Sequence, residues 1–467
     1  MQRRELLKKI GLGAGGLVLS PVLAATKLEQ PNVLFVFADD MKADCIGALG
    51  NPHIKTPNLD RLVERGFAFP NTYCFGSMVG AVCLPSRTML LTGRSLFRLP
   101  IQKVLRSDLK RYRAAMAGKE EGHDWVMLPR VLGAAGYETY HIGKSGNGFV
   151  PGLQAFEHNT IRDDRPVEKR AESSERHADE ILEFLRTRKS DRPFFIYMSP
   201  PVPHDPRVAP EKFMAMYDPA KIPLPANFKP VHPFDNGDMT VRDERLAPWP
   251  RTPEIVRRHL ADYYACVTCM DHHVGRIIDH LRQTGELDNT IVIFSGDNGL
   301  SLGDHGLFGK QNVYEFGGMH VPLVIAGPGI PHGRSDALAY LFDLFPTICD
   351  LTGTPIPPVV EGKSLLPVIA GKSHGVREYL FTAYKPQRAV RDGRWKLIRY
   401  THINRTQLFD LQADPHETND LAGKPEFAGR VRDMMVLLEK AQKEWGDASP
   451  LVSPSPANPD WTPPAKG

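Results

Sequence analysis

Cys83 stands two residues ahead of Pro85, and Ser86 and Arg87 follow before the apolar run Met89-Leu90-Leu91 and the stop Thr92-Gly93-Arg94. Proline in a first turn and glycine at the end predict a helix that opens at or next to Cys83. A helix N-terminus gathers orphan N–H donors and partial positive charge, which favours an anion or a reactive nucleophile there. Taken alone, the stretch also describes a buried structural cysteine beside a helix cap. Asp39-Asp40 closes the apolar run Pro31-Asn-Val-Leu-Phe-Val-Phe-Ala38, so a buried strand delivers two carboxylates at its C-terminal end. Such a pair as often caps a helix or sits in a solvated turn. His204 lies in Ser199-Pro-Pro-Val-Pro-His204-Asp-Pro206, where proline-fixed backbone would hold an imidazole for proton transfer at little entropic cost. Histidine in such a loop is also commonly structural.

The elements that must position these residues alternate as in an α/β layer. After the first strand, Thr56-Pro57 to Arg65-Gly66 reads as a helix with a threonine N-cap, and the cysteine helix follows. Leu128–Gly136 reads as a short helix, and Tyr137–Ile142 as a strand that ends in Gly143-Lys144. An amphipathic helix from Ser173 to Arg188 leads to the strand Pro193–Met198, and Asn289–Ser295 is a further buried-type strand ending in Gly296-Asp297-Asn298-Gly299. Glu254–Gln283 has helical spacing throughout, and a continuous helix cannot wrap Cys266, Cys269, His272 and His273 around one zinc ion. From Val376 the pattern shifts to short alternating segments, an antiparallel sheet covered by a helix from Phe427 to Trp445. The Pro-rich tail 449–467 reads as an extended strap or disorder.

Cys83-x-Pro-Ser-Arg87 followed by Thr92-Gly93-Arg94 resembles the signature of type I sulfatases, members of the alkaline phosphatase superfamily. Gly136-Tyr-x-Thr-x-x-x-Gly-Lys144 resembles their second motif, His204 their Ala-Pro-His-x-Pro step, and Asp297-Asn298-Gly with Lys310 and Val321-Pro-Leu their later block. Leu408-Phe-Asp-Leu and Asp414-Pro-His-Glu417 also fit, so the resemblance runs from Pro31 to Ala422. Three positions depart from the family pattern. Leu84 replaces a small residue after the cysteine, Gly146 stands where histidine is expected with His141 or Asn147 as substitutes, and His320 replaces an arginine.

The resemblance implies an alkaline-phosphatase-like central mixed sheet flanked by helices, with a smaller C-terminal α+β domain. Its divisions would be an export signal at 1–25, a catalytic domain at 26–375, a subdomain at 376–448 and the tail at 449–467. It implies that Cys83 is oxidised to formylglycine by a formylglycine-generating maturase. Asp39, Asp40, Asp297 and Asn298 would hold a divalent cation by oxygen, usually Ca2+ with Mg2+ as the other hard dication, and residue 83 would complete the shell. One hydroxyl of the formylglycine hydrate would attack sulfur and the other would expel sulfate, with Arg87 lowering the attacking hydroxyl's pKa. Lys144 and Lys310 would contact the sulfate, and His204 would protonate the leaving oxygen.

Arg3-Arg4, a Gly-rich apolar stretch and Ala24-Ala25 look like a twin-arginine export signal, which implies the Tat machinery as partner and a periplasmic or secreted protein without stable membrane insertion. The chain's formal charge is +4, and the signal's four cations against Glu5 carry three of those charges. A chain so near neutrality, without a basic cluster, gives no reason to expect nucleic acid. The expected substrate is a small-molecule or oligosaccharide sulfate ester, with sulfated carbohydrate favoured. The alternatives are a phosphate or phosphonate ester hydrolase of the same superfold and an inactive sugar-binding pseudoenzyme.

Overall fold

The computed structural model describes residues 30–99, 126–144, 150–162 and 167–464. The export-signal segment 1–25, Gly146 and Asn147 lie outside the described residues, as does most of the basic stretch after Arg98.

Asn32–Ala38 forms a strand in which every residue is buried. Its alternate side chains serve two cores. Val33, Phe35 and Phe37 join Leu84, Met89, Leu90 and Leu91 of the cysteine helix, whereas Leu34, Val36 and Ala38 join Val267, Met270, Val274 and Ile277 of the long helix Pro253–Gln283. Apolar partners on both faces explain why the strand reads as a continuous apolar run and not as an alternating one. It is a central member of an eight-stranded mixed sheet. The strands lie in the order Gly333–Arg334, Phe67–Ala68, Leu323–Ala326, Thr290–Gly296, Asn32–Ala38, Phe194–Ser199, Glu138–Gly143 and His158–Ile161. Asn32–Ala38 pairs in parallel with Thr290–Gly296 on one side and Phe194–Ser199 on the other. Their C-terminal ends therefore emerge side by side, and Asp39-Asp40, Asp297-Asn298 and the His204 loop leave the sheet along one edge.

The cysteine helix spans Cys83–Thr92 and is buried along its whole length. Glycine at 93, with φ 67°, ends it in the left-handed conformation that a side chain disfavours. Thr56 does precede the helix Pro57–Arg65, but it does not cap it: its hydroxyl donates to Asp60 Oδ1 and accepts from Gly47 N, both at 2.9 Å. The orphan N–H groups of Asn58 and Leu59 donate instead to Asp271 Oδ1, at 3.1 and 2.7 Å, from the long helix.

The C-terminal sheet holds the antiparallel strands Leu380–Tyr384, Gln387–Arg391, Trp395–Tyr400 and Arg405–Asp410. The helix Ala428–Trp445 packs Met434, Leu438 and Ala441 into the same core. A fifth strand, Gly76–Ser77, comes from the segment just before Cys83 and pairs in parallel with Leu380–Tyr384. Only glycine fits at 76, where φ is 129° and an added Cβ would lie 1.9 Å from the Ala383 carbonyl oxygen. Two residues show no periodicity, which is why sequence patterning misses this strand. Beyond the helix the chain runs as an extended strap whose carbonyls accept hydrogen bonds: Leu451 O from Arg399 Nε, Ser453 O from Asn404 Nδ2 and Pro459 O from Asp235 N, each at 2.8 Å.

Candidate active site

The three strand ends bring a compact polar cluster to the N-terminus of the cysteine helix. Asp40 sits at φ 65°, a left-handed conformation that aspartate tolerates better than most residues, and its N–H donates to Asp297 Oδ1 at 3.1 Å. Asp297 N in turn donates to Ala38 O at 2.9 Å, so the first strand's end and the Asp297 turn are locked together. Asn298 Nδ2 reaches Asp40 Oδ1 at 2.8 Å. Cys83 Sγ lies 3.2 Å from Asp39 Oδ1 and 3.5 Å from Asp40 Oδ1. Lys310 Nζ donates to Asp40 Oδ1 at 2.6 Å and to Cys83 Sγ at 3.2 Å. Lys144 pairs with Asp39 Oδ2. One turn along the helix from Cys83, Arg87 Nε donates to Asp297 Oδ2 at 2.8 Å, its Nη1 bonds Ser199 Oγ, and its guanidinium lies over the Phe37 ring.

Burial in this cluster is nearly complete and shapes its charges. Burial pushes Asp39 up, yet Lys144, His204 and Arg87 outweigh it and hold that carboxyl well below the usual range. Asp297 goes the other way: burial, with Asp39 and Asp40 nearby, raises it to about 6 despite Arg87. Burial, then Asp297 and Asp39, push the Cys83 thiol well up, so a thiolate is disfavoured there. Burial opposes the charge on Lys310, but Asp40 and the neighbouring acids keep it firmly protonated.

Ligand atoms of Asp39, Asp40, Cys83 and Asp297 all lie within 4.8 Å of one another. Asp40 Oδ2 and Asn298 Oδ1 are buried acceptors with no hydrogen-bond partner among the described residues. Unsatisfied buried oxygens beside three clustered carboxylates fit a hard dication, since calcium and magnesium take oxygen donors. The thiol is the one soft donor in the set, and it suits neither ion.

His204 stands at the mouth of the cluster, with its side chain 15% exposed and Nε2 3.8 Å from Asp40 Oδ2. Its Nδ1 bonds the Asp205 carbonyl oxygen at 2.8 Å. Burial lowers its pKa, Asp40 only partly compensates, and Lys310 and Lys144 lower it further, so the ring is neutral at pH 7. Asp205 is clamped by Arg242 through two bonds of 2.6 and 2.9 Å, and Arg242 also donates to Asp243 Oδ1 at 2.6 Å. Sequence reasoning missed Asp205, Arg242, Asp243 and Ser199. Asp205 had a signal in its adjacency to His204, whereas Arg242 and Asp243 sit in an irregular stretch without any.

Leu84 and His320, two of the departures from the family pattern, and His141, the substitute suggested for the third, also find places. Leu84 is buried in the core against the first strand's face. His141 lines a cavity of about 10 Å³ with Arg87, Lys144 and Ser199, its Nδ1 bonded to Asn159 Oδ1 at 2.7 Å, and burial pushes its pKa down to about 4. His320 stacks on Tyr73 at 4.6 Å between ring centres and bonds the Pro70 carbonyl. Arg391 and Lys396 supply the local cations there, both paired with Glu315.

The model of the family described as Sulfatase matches residues 31–354. The chain belongs to the sulfatase family. A second model, described as the C-terminal part of N-sulphoglucosamine sulphohydrolase, matches residues 303–444. Among curated relatives, the N-acetylglucosamine-6-O-sulfatase of Bacteroides thetaiotaomicron is 25% identical, with 90% of this chain and 88% of that protein aligned. A solved complex of a protein with its substrate D-glucosamine-2-N,6-O-disulfate superposes with a TM-score of 0.73 at 25% identity, over 91% of this chain and 99% of that one. The phosphonate monoester hydrolase of Silicibacter pomeroyi superposes with a TM-score of 0.70 at 25% identity, over 90% of this chain and 96% of that one. The protein is thus a sulfatase enzyme of the alkaline phosphatase superfamily, with that superfamily's mixed sheet and C-terminal antiparallel sheet.

Proposed function

We propose that this sulfatase removes sulfate from a sulfated carbohydrate outside the cytoplasm, with residue 83 as formylglycine beside Ca2+. The observation that carries this reading is the position of Cys83. Its sulfur lies inside a ring of hard oxygen ligands that both raise its pKa and suit it badly as a metal ligand. An oxygen nucleophile at the same point resolves both conflicts. Asp39, Asp40, Asp297 and Asn298 would hold the dication, which supplies a positive centre against which a hydroxyl is acidified and a sulfate oxygen is polarised. The hydrated formylglycine supplies one hydroxyl to attack sulfur and a second through which sulfate leaves.

The chain's own residues do the rest. Arg87 Nη2 is buried without a hydrogen-bond partner among the described residues and is a donor in reserve for a sulfate oxygen. The dication and Arg87 together balance the three acids, which leaves the charges of Lys144 and Lys310 for the anion and for the negative charge that builds in the transition state. Asp205 O accepts from His204 Nδ1–H, so in the neutral ring Nε2 is the free lone pair, which must take up a proton before it can pass one to the leaving alcohol. An arriving sulfate ester is anionic and raises the imidazole's pKa towards that task. Export rests on Arg3-Arg4 and the residues that follow them, and among the described residues no helix is long and apolar enough to cross a membrane. The carbohydrate assignment draws on the relatives, one an N-acetylglucosamine-6-O-sulfatase and one solved with a glucosamine disulfate.

The test is the mass of the residue-83 peptide from protein co-produced with a formylglycine-generating maturase, paired with sulfate release from N-acetylglucosamine-6-sulfate and from a phosphonate monoester. Formylglycine together with faster sulfate release supports the reading. Faster phosphonate hydrolysis would move the assignment to the chemistry of the Silicibacter relative. Unmodified cysteine with no turnover would favour a binding protein on the same scaffold.

A further inference from the structure

Glu244 lies outside every sequence motif and has no part in the chemistry above, yet it is one of the most constrained acids in the molecule. It is 2% exposed, in the short 3-10 helix Asp243–Leu246. Its two carboxylate oxygens accept the N–H of Phe308 at 3.0 and 3.1 Å, and Oε1 accepts that of Gly309 at 2.8 Å. These are the two residues immediately before Lys310. Arg251, fully enclosed, donates to Glu244 Oε2 at 2.7 Å. Its guanidinium carbon sits 4.3 Å from the Trp249 ring and 4.8 Å from the ring of Phe308. On the other side, the Lys310 carbonyl packs so closely on Gly318 that an added Cβ would lie 1.8 Å from it.

A lysine has a long flexible stem, so the place of its ammonium depends on where its backbone is held. Here the backbone before Lys310 is gripped by a charged acceptor and the backbone after it is wedged against a glycine. We infer that Glu244 is a positioning residue for Lys310, holding its ammonium against Asp40 and residue 83 through the amides of Phe308 and Gly309. The inference rests on the proposed role of Lys310 at the sulfate. A carboxylate suits this task because it only accepts, and two N–H groups and a guanidinium all need an acceptor. Glutamine is isosteric but would turn an N–H2 group towards one of those donors.

The experiment is a double-mutant cycle on matured enzyme with 4-nitrophenyl sulfate as probe, using Glu244→Gln, Lys310→Ala and the pair, with thermal unfolding in parallel. Glu244→Gln is expected to lower kcat by about tenfold to a hundredfold, the range that small misplacements cost, with KM little changed. In the Lys310→Ala background the same change is expected to cost nothing further, because there is no ammonium left to place. Should Glu244→Gln not fold, Gly309→Ala tests the same seam, since its Cβ would lie 2.2 Å from Gln311 Oε1 and 3.0 Å from Asp243 Cβ. An equal loss in both backgrounds, or no loss in either, overturns the inference. Full activity of Lys310→Ala alone would instead overturn the role given to Lys310.

Discussion

Replacing His204 by asparagine should separate substrates by their leaving group. The imidazole is fastened at Nδ1 by Asp205 O at 2.8 Å and presents Nε2 towards Asp40, beside Lys310. Without it, a sugar oxygen must leave nearly as an alkoxide, whose conjugate acid resembles water at about 15.7, whereas a phenol leaves from about 10. A general acid is worth about 10² to 10⁴ in rate, or roughly 3 to 5 kcal/mol of barrier. Lys310 remains to stabilise charge, so the lower half of that range is expected for a sugar sulfate, and less than about tenfold for 4-nitrophenyl sulfate. Steady-state kcat/KM on both substrates, at constant metal loading, measures the difference. Equal losses on the two would refute the proton-donor role and leave His204 as a contact to the sulfate itself.

Other expectations follow from the same geometry. Asp297 holds its proton up to about pH 6 when no cation is present, above the ordinary value of 3.8, so a cation bound there, calcium in the proposed reading, would have to displace that proton. Apparent calcium affinity, read by isothermal titration, should therefore fall by about tenfold per unit as pH drops below 6 and be flat above it. Because the folded-state value is the higher one, ionising Asp297 costs the ion-free protein stability as pH rises from about 4 to about 6, and added calcium should restore it in thermal unfolding. A pH-independent calcium affinity would argue against Asp297 as a ligand. Gly296→Ala would place a Cβ 2.5 Å from Met41 Cβ, prising the Asp297 turn from the first strand's end. It should cost roughly 1 to 3 kcal/mol of stability and weaken calcium binding at the same time, the first checked by denaturant unfolding and the second by calcium titration.

Much of the site was legible because it obeys local rules. Strands buried on both faces are continuous apolar runs, so Asn32–Ala38, Phe194–Ser199 and Thr290–Gly296 announce themselves, and the polar residues that end them are marked at once. Proline two residues after Cys83 and glycine after Thr92 likewise mark out the cysteine helix. What these residues do together is another matter. The bond from Lys310 to Asp40 spans 270 positions, the Arg87 pair with Asp297 spans 210, and the Asp271 cap of the helix Pro57–Arg65 spans 212. No periodicity encodes such pairings. They arise because parallel strands in one sheet end on one edge and a long helix lies across them. The irregular stretch that supplies Arg242, Asp243 and Glu244 is the clearest case, since its residues matter through whose amide or carboxylate they meet. Residue types and local spacing thus determined the candidate chemistry and the elements that carry it. The tertiary path of the backbone alone decided which charges face one another, how deeply each is buried, and therefore which protons they hold.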